Sequence, residues 1–508
     1  MESITKQTTF AFSLTTITVI IGYLSNFLII YFLIHMYIPS EYAYYAFSFN
    51  FYTFLVLFTN FGLGLTLIRK LSVLKTNEIS ERSELISEGF KWISIFGIII
   101  SAGLFFSSNF FEVIYKISYL NLSLKFISIY LFSSNIILYF EYVFRGIWKF
   151  NLYFISNITF NFFKLFIVLI NLILKFPLIS LIGFYAVLSL VQSFFLIFFI
   201  QKKYGYLSRI FQKNVQIRKE LFKFSILVFI PGLFTYLYFK FNQFLLAFYI
   251  DPSGIAFYSL TLTILDAFSL PILAISTTIF PYISKYLDNQ DKFKKNIDLI
   301  YNFIFKYGLL ITIPLTLFIF AYSDRFILLF FSSEYLLVSN FLKFYILYLN
   351  IKIIGIAGAN FLYAANRPMT VFKLTGLNAL ITLILSSLLI PIYYSYGAIL
   401  SIIIPHSIYT IFTITLVKKE FEIEFYYRVT TSIFKFILSA IISLIVVMIL
   451  DIQVFNNIGG ISNLQFFFYI VIIYFGTFLL LILLLQAIKT NEIKFLYVNI
   501  RYLFKKNS

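Results

Sequence analysis

Cysteine is absent, which removes disulfides, thiolate metal sites and thiol nucleophiles at once. Charge is scarce too. Asp, Glu, Lys and Arg make up 12% of the 508 residues, while 61% are hydrophobic and the mean hydropathy is +0.93. Soluble domains carry about 25% charged residues, so a soluble enzyme or binding module is excluded. Acidic residues are the scarcer sign, 21 against 39 basic, for a net charge of +18. In a soluble protein that balance suggests nucleic acid. Here the basic residues sit in short loops between apolar runs, so orientation in a membrane explains them and no nucleic-acid partner is expected. No GxxxxGK[ST] phosphate loop occurs, so the chain alone is no ATP-driven pump. Gly62-Leu63-Gly64 ends an apolar run and reads as helix packing or a break, not as a nucleotide site. The first outer loop offers only Glu41 as a carboxylate, too little for a membrane glycosyltransferase or polymerase that needs an acidic base or metal ligand.

What is present is apolar segments of membrane length. About 20 helical residues cross the hydrocarbon, and fourteen spans are expected. They lie near 10–36, 43–68, 90–107, 121–144, 151–175, 178–200, 221–250, 254–283, 299–321, 335–365, 371–392, 396–417, 430–451 and 465–488. The first run is too long for a signal peptide and lacks a small-residue cleavage site. With the N-terminus in the cytoplasm, 29 of the 39 basic residues fall on the inner side and 4 on the outer, as the positive-inside rule requires. Both termini are therefore expected in the cytoplasm of a cell-membrane protein. The tail after Lys489 mixes aromatic and basic residues and suits the inner surface.

The chain is organised around the apolar hairpin Leu221–Ser284, whose arms meet at Asp251-Pro252-Ser253-Gly254. That turn repeats an earlier one. Ile38-Pro39-Ser40-Glu41-Tyr42-Ala43-Tyr44-Tyr45 recurs as Asp251-Pro252-Ser253-Gly254-Ile255-Ala256-Phe257-Tyr258, at an offset of 213. Each half then holds six helices in one orientation, as in transporters whose parallel repeats flank a central site. The expected architecture is all-α and integral to the membrane. A first lobe covers 1–220 with a basic linker, a second covers 221–420, and residues 421–508 add two helices and the basic tail.

The opening NFLIIYFLIHMYIPSEYAYYAFSFNF, the following NFGLGLTLIRK, the RGIWKFNLYF stretch at 145–154 and the Phe280-Pro281 helix ending resemble polysaccharide-biosynthesis flippases of the O-antigen type. Those belong to the superfamily that includes the multidrug MATE exporters. The resemblance spans the whole chain. It implies a transporter, not an enzyme, that moves undecaprenyl- or dolichol-linked oligosaccharide between leaflets. It implies no cofactor, and function as a monomer among membrane lipids.

Several residues inside the spans carry the chemistry. In the fifth span Asn157, Asn161, Lys164 and Asn171 fall on one helical face. They either line a cavity, offering amides to sugar hydroxyls and an ammonium to phosphate, or bond between packed helices. Tyr236, Lys240 and Gln243 share a face of the seventh span, and Tyr345, Tyr348 and Lys352 one of the tenth. Lys164, Lys240 and Lys352 are the candidate cations of a substrate cavity, since a buried ammonium compensates a diphosphate; local ion pairs are the alternative. Asp266, with Ser259, Thr263 and Ser269 on its face, either pairs with Lys240 or binds a coupling proton or sodium ion. His406, after Pro405, is a packing histidine or a proton relay. Glu141 and Arg145 suit an i, i+4 ion pair, and Arg145 is also placed to meet the lipid phosphate at the cytoplasmic mouth. Six basic residues inside the spans against Asp266 alone favour an anionic substrate over the cations of a drug exporter, the next-best reading.

Overall fold

The computed structural model of the chain describes residues 2–74, 79–208, 215–270, 272, 290–364, 367–421, 427–455 and 463–488. Among them every regular element is helical, as expected of an apolar chain that must satisfy its own backbone in hydrocarbon. The first group is α1 (Glu2–Met36), α2 (Pro39–Asn60), α3 (Leu63–Val73), α4 (Ile79–Tyr115), α5 (Leu120–Gly146), α6 (Phe150–Leu174) and α7 (Leu178–Tyr204). Next come α8 (Val215–Phe239), α9 (Asn242–Leu246) and α10 (Pro252–Phe268). The rest are α11 (Gln290–Phe330), α12 (Leu337–Ile346), α13 (Tyr348–Ala364), α14 (Pro368–Phe421), α15 (Tyr427–Phe455) and α16 (Asn463–Leu484).

Among the described residues eleven helical segments are long and apolar enough to cross a bilayer, and α2 with α3, bent by 46° at their junction, makes a twelfth. The expected fourteen differ from these for two reasons. The 54 residues of α14 would measure about 80 Å if straight, but Tyr394 interrupts them at φ 50° and ψ −122°. A Cβ on Gly397 would meet the Leu389 carbonyl oxygen, so the chain doubles back there and α14 holds both spans expected over 371–417. The span expected over 254–283 is represented by α10, and its later part lies outside the described residues, as do Phe280-Pro281 and the tail.

The chain divides into two compact units. The first holds residues 1–260 and 383–398, the second 261–382 and 399–508. In the first unit α5 is the central helix, packed by α2, α3, α4, α6 and α7, while α1 lies on α6 and α3 on α8. Small hydroxyls let the helices approach: Ser48 meets Ser123 at 2.6 Å, and Ser133 meets Ser189 at 2.5 Å. This is the kind of interface helices use where lipid offers no hydrophobic drive. Leu63, Leu67, Leu71, Ile86, Ile93 and Phe140 fill the space between α3, α4 and α5. The α2–α3 break needs glycine. Gly62 has φ 74°, and a Cβ there would lie 2.3 Å from the Ser225 carbonyl oxygen of α8. In the second unit α11 packs against α12, α13, α15 and α16.

Candidate functional site

Within the first unit α6 turns its amides toward α1. Asn161 Nδ2 donates to Asn157 Oδ1 at 2.8 Å and to the Asn157 carbonyl at 3.0 Å. Asn157 Nδ2 in turn donates to Glu141 Oε1 of α5 at 3.4 Å. Glu141 is 5% exposed, so the amide chain begins at a buried carboxylate. Tyr153, Asn157 and Asn161 line a cleft of about 310 Å³ with Thr18, Tyr23 and Asn26 of α1.

The expected ion pair between Glu141 and Arg145 is not formed. The Arg145 guanidinium instead lies between two rings, 4.7 Å from the centroid of Tyr142 and 5.0 Å from that of Tyr153. Its buried Nε has no hydrogen-bond partner, and no described carboxylate pairs with the group. The reason is local: Tyr142 and Tyr153 offer two flat faces, and a guanidinium stacks on such faces readily. Tyr153 thus belongs both to the Arg145 sandwich and to the cleft.

Lys164 lies two turns beyond Asn157. Its ammonium faces Tyr185 at 5.0 Å, Phe49 at 5.8 Å and Phe160 at 5.8 Å. Among the described residues it makes neither a hydrogen bond nor an ion pair. Asn171 leaves the stripe: it accepts from Tyr37 at 2.6 Å and donates to Ser180 at 3.2 Å, so it ties α6 to neighbouring segments. Helical spacing put all four on one face, but tertiary neighbours divide them among a cleft, an aromatic box and a structural tie.

Tyr236, Lys240 and Gln243 do not share one helical face. The backbone loosens to an i→i−5 bond at Phe241 and tightens to i→i−3 at Gln243, which separates α8 from α9 at Lys240. Tyr236 donates to Asn50 Oδ1 at 2.7 Å, and Gln243 donates to the Ser259 hydroxyl. Both polar groups are occupied within the first unit, and Lys240 lies half-buried between them in sequence.

The second unit brings Lys352, Tyr348 and His406 together. Lys352 Nζ donates to Ser269 Oγ at 3.0 Å, Tyr348 stands edge-on to His406 at 5.2 Å, and His406 Nδ1 lies 3.4 Å from Asn378 Nδ2. Gly355 permits the close approach, since a Cβ there would lie 3.2 Å from His406 Nε2. Asp266 is half-buried on α10, one turn before Ser269. Sequence reasoning passed over Asn26 and the amide-anchoring part of Glu141. A lone Asn inside the apolar run of α1 was the available signal for the first.

The profile of the polysaccharide biosynthesis protein family matches residues 6–287. No curated relative matches the chain. Several solved structures share its fold. A lipid II flippase MurJ in an inward closed conformation is 18% identical, with a TM-score of 0.66, over 93% of this chain and 97% of that one. A multidrug resistance MATE family transporter of the MOP superfamily, inward-facing, is 13% identical, with a TM-score of 0.67, over 79% and 94%. A MOP superfamily transporter from Pyrococcus furiosus, described as having a binding pocket of reverse polarity, is 15% identical, with a TM-score of 0.56, over 81% and 95%. At these identities the likeness is one of fold.

Proposed function

Because the chain belongs to the polysaccharide biosynthesis protein family, we propose that this multi-pass membrane protein is a flippase for a polyprenyl-diphosphate-linked oligosaccharide. It carries that lipid from the inner to the outer leaflet, as a monomer, with both termini in the cytoplasm. The observation that supports the reading best is Lys164. An ammonium held by rings alone is costly inside a membrane protein and is offset when an anion arrives. Arg145 has the same character closer to the inner end of its helix.

The lobes expected from the repeat are 1–220 and 221–420. The proposed site also takes in Lys240, whereas Lys352 already donates to Ser269 and stands outside it. Asp266 and His406 are the groups we assign to a coupling ion. A drug exporter of the same fold is the other reading. An organic cation, however, gains nothing from Lys164 and Arg145.

The test places the full chain in vesicles with a fluorescent polyprenyl-diphosphate oligosaccharide and follows its loss from one leaflet by quenching. Wild type should move the lipid faster than protein-free vesicles, and Lys164→Gln should not. Wild-type transfer at the protein-free rate rejects the reading. Inhibition by lipophilic cations, with no effect of added diphosphates, would favour the exporter.

A further inference from the structure

We propose that the cleft between α1 and α6 is a recognition site for the first sugar of the substrate, with Arg145 at its edge for the adjoining diphosphate. This rests on the flippase reading above and adds to it the chemistry of the sugar that is read.

The polarity of the cleft follows from Glu141. Asn157 Nδ2 donates to the Glu141 carboxyl at 3.4 Å, which leaves the Asn157 Oδ1 turned toward Asn161, whose Nδ2 donates to it. Asn161 spends both N–H groups on Asn157, one on Oδ1 and one on the carbonyl. Its own Oδ1 has no donor among the described residues and remains for a ligand. Across the cleft Asn26 is exposed and makes no hydrogen bond to a described residue. The site therefore offers one fixed acceptor and one complete amide, with the rings of Tyr23 and Tyr153 beside them. A pyranose fits that set: its hydroxyl or acetamido N–H donates to Asn161, while its apolar face lies on a ring. An acyl chain would leave both amides unsatisfied, at a desolvation cost. At about 310 Å³ the cleft stands at the low end of the roughly 300–1,000 Å³ usual for small-molecule sites, so it takes a single sugar ring and not a whole repeat unit. Tyr153, shared with the Arg145 sandwich, sets the sugar and the anion side by side, as the first sugar and the diphosphate are in such a lipid. Glu141 touches neither and acts as a positioning residue.

The experiment measures dissociation constants of two probes on full-length protein in nanodiscs: farnesyl diphosphate, and the same molecule carrying one N-acetylhexosamine. Wild type should bind the sugared probe about tenfold more tightly, the size of an ordinary linkage between adjoining groups. Asn161→Ala and, independently, Asn26→Ala should bring that ratio close to one. Asn26 is exposed, so its replacement removes no packing and keeps the test valid if the Asn161 variant fails to fold. Arg145→Gln should weaken both probes and preserve the ratio. Glu141→Gln should lower the ratio, because a glutamine can also donate and lets the amides reverse, while the bare diphosphate keeps its affinity. A merely structural part for Glu141 would lower both affinities together. A wild-type ratio of one, or a ratio unmoved by both asparagine variants, overturns the sugar site and leaves the flippase reading standing. Wild type that binds neither probe overturns both.

Discussion

Lys164 and Arg145 of the first compact unit are held differently from Lys352, Arg325 and Lys343 of the second. In the first, Lys164 and Arg145 are enclosed by aromatic rings and meet no described carboxylate at ion-pair distance. In the second, Lys352 donates to Ser269, Arg325 is paired with Asp451 at 2.5 Å, and Lys343 with Asp324 at 2.7 Å. Rings stabilise a cation modestly and leave its hydrogen-bond donors unspent. A carboxylate or hydroxyl spends them. Lys164 and Arg145 are thus prepared to gain from an incoming anion, while Lys352, Arg325 and Lys343 are already satisfied, so the ligand-binding energy should be concentrated at the first two.

The most severe test of that contrast is Lys164→Gln. The change keeps polarity and removes the charge. A charge-assisted hydrogen bond is worth about 1.5–3 kcal/mol, so lipid transfer in vesicles should fall roughly ten- to 150-fold. The amount of protein in the membrane should hold or rise, because an uncompensated, half-buried charge has been taken away. A fall in protein level together with transfer would mean that Lys164 is structural, and the contrast between the units would collapse.

Arg145→Gln should come next, weakening farnesyl diphosphate about tenfold, and Arg145→Lys should recover only part of it. Lysine is a point charge and does not stack between Tyr142 and Tyr153 as a planar guanidinium does. Full recovery by lysine would show that charge alone matters and that the ring sandwich contributes no orientation.

Much of this was readable in the sequence, and the limits have physical causes. Hydropathy located the spans because the bilayer demands long apolar helices. It did not locate helix ends: α4 begins at Ile79, well before the expected start near 90, since polar residues such as Ser80 and Glu81 continue a helix in water as well. The Gly62 break was visible as a glycine pair. The break at Lys240 was not, because the helix runs through Pro231 and opens where no Gly or Pro stands. Lys164 announced itself by being charged at membrane depth. Glu141 looked like half of an i, i+4 pair, and only the packing of α6 beside α5 shows that its hydrogen bond goes to Asn157, sixteen residues on.

Lys352→Met tests the satisfied side of the comparison. It deletes the donor to Ser269 and leaves a methyl in its place. The loss of one buried hydrogen bond to a charged group costs about 1.5–3 kcal/mol, offset in part because methionine fills the space without a charge to desolvate. Thermal unfolding in detergent should shift downward by a few degrees, and diphosphate affinity in the nanodisc assay should stay within about twofold. A tenfold loss of affinity with unchanged unfolding would transfer Lys352 to the ligand-binding group and weaken the contrast between the units.

The smallest effect is expected at Arg325 and Asp451. The pair joins α11 to α15 at 2.5 Å, with the arginine side chain 36% exposed and the aspartate 14%. An ion pair that open to solvent is screened and gains little over its hydrated partners, less than about 1 kcal/mol. Single replacements, Arg325→Gln and Asp451→Asn, each also disturb other neighbours, since the guanidinium lies 5.7 Å from the Tyr322 and Phe466 rings. A double-mutant cycle on the unfolding free energy separates the pair from those contacts. The coupling should fall below about 1 kcal/mol and shrink further as salt is raised. A coupling of about 3 kcal/mol or more, insensitive to salt, would mean that this end of the second unit excludes water. The pair would then be a structural clasp, and the second unit would be more rigidly locked than its paired but partly solvated charges imply.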